Sequence, residues 1–136
     1  MSVGNLVDIE EFGHLPENIS VYRQVDQIAV LSQADVFLSH CGMNSVNESL
    51  YYQVPLVMYP QTSEQGGVAT RVLQLGAGIR LEKTSPSAIR EAVKQVLEDS
   101  SYREHAKIIS EGFQKCAGAK GAADKILDTF TKLSKK

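Results

Sequence analysis

Two short apolar runs place the strongest constraint on how this chain can fold. They are "ADVFLSH" (residues 34–40) and "VPLVMYP" (residues 54–60). Apolar runs without alternation are typical of strands that are buried on both faces, as in parallel sheets. A helix-like stretch follows each run, and strands that alternate with helices indicate βα units. The sequence therefore predicts an α/β domain with a small parallel sheet of about four strands.

Further helix and strand patterns surround these two runs. Strands are predicted at "NISVY" (18–22) and "IRL" (79–81), and helices at "DQIAVLSQ" (26–33), near residues 44–52 and from about residue 64. Asp26 is the predicted N-cap of the first of these helices. Gly76 and Gly78 are predicted to end the third.

The last third of the chain is predicted to be helical. Ser85 is the expected N-cap of the first helix there, with Pro86 in its first position. "GAKG" (118–121) is expected to break the chain before the final helix. The predicted apolar faces are Ile89, Val93, Val96 and Leu97; then Tyr102, Ala106, Ile109 and Phe113; then Ile126, Leu127, Phe130 and Leu133. Lys132, Lys135 and Lys136 are placed to complement the dipole of the final helix.

Composition excludes several classes of function. The net charge of −2 argues against a nucleic-acid partner, because binding the phosphates of a nucleic acid needs a basic face. No apolar run reaches the length of a membrane span, and the acidic N-terminus lacks a signal core, so we expect a cytoplasmic location. Cys41 and Cys116 are expected to be reduced. The histidines show no metal-ligand spacing, so no metal is expected. A length of 136 residues favours one domain, residues 1–136.

The segment "HCGMNSVNES" (40–49) joins the end of the first apolar run to the predicted helix. A helix N-terminus exposes unpaired N–H groups and a partial positive charge. If Gly42 lets a ligand approach the backbone, this turn is an anion site. Asn44 and Ser45 add side-chain donors, and His40 adds a donor or a positive charge. Such a turn could hold a diphosphate without a metal.

A purely structural interpretation of the same turn competes with this one. Ser45 and Glu48 have the spacing of a capping box, in which the serine caps the helix and the glutamate reaches back. His40 would then be a satisfied histidine at a strand end, and Gly42 a simple turn residue. On spacing alone the structural interpretation is favoured, because short motifs often match by chance.

A resemblance to a known family changes this balance. The segments "QVDQIAVL", "ADVFLSHCGMNSVNESLYYQVPLVMYP" and "SEQ" resemble, in order and in spacing, the donor-binding signature of family 1 (UDP-)glycosyltransferases. The resemblance is closest to the bacterial macrolide or oleandomycin type, and it continues through "RVLQLGAGIRL" and the C-terminal helices. It implies the C-terminal, donor-binding domain of the GT-B fold, which is a Rossmann-like three-layer α/β/α structure.

The resemblance implies a diphosphate site at the turn. His40, Asn44 and Ser45, with the backbone around Met43 and Gly42, match the positions that bind the donor diphosphate. Donors fixed at a helix end would stabilise the charge that grows on the leaving diphosphate. With a cationic His40 they can replace a divalent ion, so no cofactor is expected.

The resemblance also implies contacts to the rest of a nucleotide-sugar. Glu48 matches the acid that bonds the ribose hydroxyls, and Glu64 and Gln65 match the pair that holds the sugar hydroxyls. Gln27 matches the glutamine near the nucleoside, and the backbone of Val25 matches the segment that reads the uracil edge.

Three departures from the family pattern bear on this site. Gln24 stands where the family often has a tryptophan that stacks on uracil, so the choice of uridine is open. Gln53 stands where a glycine usually precedes Val54. Glu64 is more often aspartate, and the extra methylene could alter the choice of sugar.

The resemblance implies that parts of the whole enzyme lie outside this chain. The acceptor half of such enzymes carries the catalytic histidine, and the chain has no room for it. The first βα unit of the donor half is also expected to be missing, with "SVGN" (2–5) as the tail of its second strand. We therefore expect the isolated chain to be inactive, and to meet an acceptor domain, a partner chain or a second copy of itself.

The function implied is the donor half of a glycosyltransferase that transfers a hexosyl group from a UDP-sugar to a small-molecule acceptor. Two alternatives remain open at this stage. One is a UDP-sugar epimerase-like GT-B domain, and the other is a non-catalytic binding module.

Overall fold

A computed structural model describes residues 1–133 of the chain. These residues form two compact units, Met1–Ala34 and a larger one that begins at Asp35. Lys135 and Lys136, two of the lysines expected near the final helix end, lie outside the described residues. No helix among residues 1–133 is long and apolar enough to cross a membrane.

The smaller unit contains little regular structure. It has a 3₁₀ helix at Ile9–Phe12 and helix α1 at Gln27–Leu31. The predicted cap of α1 is confirmed, because the side chain of Asp26 accepts a hydrogen bond from the Ala29 N–H at 3.0 Å. The predicted strand at residues 18–22 is wrong, since only Tyr22 pairs there, in an isolated parallel bridge with Ser2. A strand needs a buried face, and Ile19 and Tyr22 are exposed.

The larger unit alternates strands with helices. Its strands are β1 (Phe37–Ser39), β2 (Leu56–Met58) and β3 (Gly78–Arg80), and its helices are α2 (Met43–Tyr51), α3 (Ser63–Gln74), α4 (Pro86–Glu98), α5 (Ser101–Gln114) and α6 (Gly118–Leu133). The strands form one parallel sheet in the order β1-β2-β3. The small parallel sheet is confirmed, with three strands among residues 1–133 where about four were expected.

The sheet separates two apolar clusters, because successive side chains of a strand point to opposite faces. Leu56 and Met58 belong to the cluster formed with α2, α3 and α5. Val57 belongs to the cluster formed with α4, which includes Val96. The helices therefore cover both faces of β2, and the predicted three-layer α/β/α arrangement is confirmed.

Burial on both faces was predicted for both apolar runs and holds for one. All three residues of β2 are fully buried. Strand β1 forms an edge of the described sheet, and Leu38 is 46% exposed. The prediction for β1 is wrong because Leu38, although in register with Val57, lies outside the apolar cluster that α4 forms on that face.

Several local predictions for the later helices also need correction. Gly78 does not end α3 but begins β3, where a Cβ would collide with the carbonyl oxygen of Leu56. "GAKG" lies in the first turn of α6, and the non-helical residues between α5 and α6 include 116–117, just before it. Leu97 is exposed, and Ala92 takes its place in the core.

Helix α6 has the predicted amphipathic sequence, but its apolar side chains are not buried. They are all at least half exposed: Ile126, Leu127, Phe130 and Leu133.

Hydrogen bonds from two serine hydroxyls fix the chain at the C-terminal end of α2. The Ser110 hydroxyl of α5 donates to the Tyr51 carbonyl at 2.6 Å, and the Ser49 hydroxyl donates to the Val54 carbonyl at 2.8 Å. Ser49 and Ser110 are fully buried. The chain then turns through Gln53, whose φ of 61° lies in the left-handed region. This explains why the family usually has glycine there, since glycine adopts this conformation without strain.

We expect Gln53→Gly to raise the free energy of unfolding by about 0.5–1 kcal/mol. The change removes about 1–2 kcal/mol of left-handed strain and loses part of that gain to the greater freedom of glycine in the unfolded chain. Urea unfolding at neutral pH measures the difference. Gln53→Ala is the control, because alanine keeps the strain; equal gains in both variants would contradict this explanation.

Candidate functional site

The turn between β1 and α2 ends in a helix start that carries no side-chain cap. Gly42 is the N-cap, with φ −59° and ψ 132°, and α2 begins at Met43. Ser45 is therefore the third residue of the helix and cannot cap it, so the predicted capping box of Ser45 and Glu48 is wrong. The N–H groups of Met43, Asn44 and Ser45 belong to the first helical turn, where no intrahelical acceptor exists.

The imidazole of His40 lies directly against this helix start. A Cβ added at Gly42 would stand 3.1 Å from His40 Nε2. The backbone φ of Gly42 is ordinary, so what glycine provides there is room for the ring at its present distance. His40 itself is exposed. The turn thus places an accessible imidazole beside the positive end of the helix dipole.

Glu48 lies one helical turn beyond Asn44 and Ser45. Residues three and four apart share a face of a helix, so Glu48 shares a face with both of them. Its side chain is half-buried, as is that of Ser45. The first two turns of α2 therefore carry polar side chains on one face.

The start of α3 contains a reciprocal cap that sequence reasoning placed in the wrong helix. Thr62 is the N-cap, and its hydroxyl accepts from the Gln65 N–H at 3.3 Å. The Gln65 side-chain oxygen accepts from the Gln61 N–H at 2.8 Å. Thr62-x-x-Gln65 has the capping-box spacing, and this was the signal available in the sequence.

This cap orients the side chain of Gln65. Because the Gln61 N–H must face an acceptor, the amide oxygen of Gln65 is fixed toward it, and the amide nitrogen is left as a donor. Glu64, the second residue of α3, is exposed. A carboxylate at this position also complements the helix dipole, which is a sufficient structural reason for an acidic residue.

Parallel pairing brings the starts of α2 and α3 to the same edge of the sheet. Ser39, the last residue of β1, is in register with Met58, the last residue of β2. Both strands leave the sheet at their carboxyl ends, where ligands bind in open α/β sheets. His40 and Gly42 follow the first strand, and Glu64 and Gln65 follow the second.

The remaining predicted residues lie in the smaller unit. Gln27 is the first residue of α1, and Val25 precedes its N-cap Asp26. Both are half-buried.

Residues 1–133 contain no group of three or more His, Cys, Asp or Glu side chains that could hold a metal ion. The chemistry available at the turn therefore comes from backbone amides, an imidazole, hydroxyl and amide donors, and carboxylates. Such a set suits an anion flanked by hydroxyl groups.

Comparison with known proteins decides the family. Residues 5–117 match the family described as "Erythromycin biosynthesis protein CIII-like, C-terminal domain". The chain belongs to this family.

Its relatives in this family are named glycosyltransferases. The chain is 38% identical over 130 residues to the "Uncharacterized UDP-glucosyltransferase YojK" of Bacillus subtilis, covering 94% of this chain and 32% of YojK. It is 30% identical over 128 residues to the oleandomycin glycosyltransferase of Streptomyces antibioticus, covering 93% of this chain and 30% of that protein. The predicted resemblance to the oleandomycin type is confirmed.

The fold of this family is confirmed by a solved structure. The crystal structure of CalG4, the calicheamicin glycosyltransferase, superposes with a TM-score of 0.89 and 30% identity, covering 98% of this chain and 35% of CalG4. The architecture is therefore that of the C-terminal domain of a GT-B glycosyltransferase. The chain spans about a third of the length of the relatives it matches.

We expect Gly42→Ala to displace the imidazole of His40. An alanine Cβ at 3.1 Å from Nε2 is closer than such atoms normally approach, so the ring must move by a few tenths of an ångström. The ring ¹H and ¹³C resonances of His40 should shift, while those of His14 and His105 stay in place as internal controls. An unchanged His40 resonance would show that the ring does not rest on Gly42 in solution.

Proposed function

We propose that this chain binds a nucleotide-sugar, with UDP-sugar favoured, as the donor half of a glycosyltransferase that transfers a hexosyl group to a small-molecule acceptor. The observation that carries the proposal is the start of α2. A helix without a side-chain cap opens at the carboxyl edge of a parallel sheet, with the imidazole of His40 against Gly42.

The diphosphate would occupy the start of α2. The N–H groups of Met43, Asn44 and Ser45 supply donors without a net charge of their own, and the helix dipole favours an anion there. The side chains of Asn44 and Ser45 add donors, and His40 adds an N–H or a positive charge. In the reaction these groups would stabilise the charge that develops on the leaving UDP. No metal is required for this step.

The carboxylates suit the hydroxyl groups on either side of the diphosphate. Glu48, one turn into α2, would accept hydrogen bonds from the ribose diol. Glu64, at the start of α3, would do the same for the sugar. Gln65 would donate from the amide nitrogen that its bond to Gln61 leaves as a donor. A charged acceptor makes a hydrogen bond that is stronger than a neutral one.

The nucleoside contacts are proposed from the resemblance alone. Gln27 and the backbone of Val25 are the groups proposed for it. Gln24 offers no aromatic ring to stack on a base, so the base would be held by hydrogen bonds and by less stacking than a tryptophan provides. The name of the relative YojK, a UDP-glucosyltransferase, supports uridine as the base.

The acceptor and the catalytic base would come from a part of the enzyme that this chain does not cover. This rests on the relatives, of which the chain spans about a third. An acceptor domain or a partner chain would face the carboxyl edge of the sheet and present the acceptor hydroxyl to the sugar.

The first test uses titration calorimetry to distinguish the proposed roles of Glu48 and Glu64. We expect the chain to bind UDP and UDP-glucose with a Kd of millimolar or tighter, about −4 kcal/mol or better. Glu48→Ala should weaken both ligands by about tenfold or more, because a bond to the ribose is common to both. Glu64→Ala should weaken UDP-glucose and leave UDP unchanged, since UDP has no sugar beyond the diphosphate.

The control is Glu91→Ala, which removes an exposed carboxylate from α4 on the other face of the sheet. It should bind both ligands like the unchanged chain. UDP binding that survives Glu48→Ala would contradict the role of that residue. Absence of any binding would favour a non-catalytic module, and interconversion of two UDP-sugars would favour an epimerase.

The second test concerns turnover by the chain alone. We expect no transfer from UDP-sugars to phenolic acceptors, because a general base must reach the acceptor proton and His40 would instead contact the leaving phosphate. Product formation followed by mass spectrometry checks this. Turnover that His40→Ala abolishes would overturn the assignment.

A further inference from the structure

Cys41 adopts an unusual backbone conformation between His40 and Gly42. Its φ is 71°, and the only other non-glycine residue of the described chain with a positive φ is Gln53. These residues flank α2 at its two ends. A side chain in the left-handed region is strained, and such strain persists only where the surroundings enforce it.

Two contacts enforce this conformation at Cys41. Its N–H donates to the Ser39 hydroxyl at 3.1 Å, and Ser39 is itself fixed because it is the last residue of β1. Its side chain is 0% exposed and belongs to the apolar cluster that includes Val46 of α2 and Met58 of β2. Burial raises the pKa of the Cys41 thiol, with a smaller opposing effect from Arg80, so the group stays neutral. The thiol packs as a small side chain and donates a weak hydrogen bond from Sγ to the Ser39 carbonyl oxygen at 3.7 Å.

Burial of the Cys41 side chain fixes the positions of His40 and Gly42. While Cys41 faces the core, His40 on one side is exposed and Gly42 on the other begins α2. The ring of His40 can rest on Gly42 because the intervening residue turns through the left-handed region. If the backbone at position 41 were not held in this conformation, the imidazole of His40 and the start of α2 could separate.

We propose that Cys41 is a positioning residue for donor binding, whose buried side chain holds the turn in the left-handed conformation that keeps His40 against the start of α2. This rests on the proposed function for its effect on ligand affinity, but not for its effect on the turn. Cys41 does not touch the donor and does not react.

The test replaces Cys41 by glycine, which accepts the same φ without strain but has no side chain to anchor. Relief of strain should offset the lost burial, so we expect the melting temperature to change by no more than about 4 °C. The freed turn should lower UDP affinity by about three- to fivefold, which is what the extra backbone freedom of glycine is worth. A merely structural residue would instead lower the two quantities together.

Amide hydrogen exchange of the ligand-free chain makes the test independent of the proposed function. The reporter is the Val46 N–H, which donates to the Gly42 carbonyl at 3.0 Å. In Cys41→Gly, exchange at Val46 should become faster while exchange at Leu50 stays the same. If the unchanged chain does not bind UDP, the proposed function fails, and exchange still decides the role of Cys41. Unchanged exchange at Val46 would overturn the proposal, as would unchanged UDP affinity in a chain that binds UDP.

Two further variants complete the design. Gln53→Gly relieves the same kind of strain at the other end of α2 and should leave UDP affinity and exchange at Val46 unaltered. Ser39→Ala removes the acceptor of the Cys41 N–H and keeps the thiol, so it should loosen the turn in the same direction as Cys41→Gly. Should Cys41→Gly fail to fold, Ser39→Ala decides: unchanged exchange at Val46 would count against the proposal.

Discussion

Parallel pairing of β1 with β2 is the constraint on which the candidate site depends. Strand β2 is fully buried, with apolar clusters on both of its faces, and β1 is held in register beside it. Because the two strands run in the same direction, α2 and α3 must begin at the same edge of the sheet. An antiparallel neighbour would send the second helix to the opposite edge. The meeting of His40 with Glu64 and Gln65 at one edge is thus a consequence of backbone pairing in the core.

Helix α2 is stabilised unequally at its two ends. At its C-terminus two buried serine hydroxyls bond carbonyl groups, and α5 is tied to it through Ser110. At its N-terminus Gly42 provides no capping side chain, which forgoes only roughly a few tenths of a kcal/mol relative to serine or aspartate. The start of the helix is fixed indirectly, through Cys41 and the strand before it. No side chain of the N-cap residue therefore covers the start of the helix.

The sequence predicted the α/β class, the parallel sheet and the Ser85 and Asp26 caps, because each rests on a local pattern that tertiary contacts reinforce. It failed where the outcome depends on which neighbour is present. Leu38 has the apolar character of a buried strand but lies at an edge. The final helix has an amphipathic pattern, but periodicity does not say what covers the apolar face.

The candidate site was predictable in part. The order of residues indicated an anion-binding turn. Capping-box spacing, however, occurs near the starts of both α2 and α3, and only the structure shows at which of them the capping hydrogen bonds form. Thr62 and Gln65 form the cap, whereas Ser45 lies inside a helix. The positive φ of Cys41 could not be predicted from the sequence, because this conformation is usually adopted by glycine or asparagine and not by cysteine.

Helix α6 has a consequence for how the chain loses its structure. None of its residues is buried, so burial contributes little to its helicity, and Gly118 and Gly121 weaken its intrinsic propensity. Sixteen residues of this kind are marginal as an isolated helix in water. The C-terminal segment should therefore fray and reform independently of the sheet, as a separate cooperative unit of low stability. Denaturation curves followed by far-ultraviolet circular dichroism would then include an early, shallow loss of signal before the core melts.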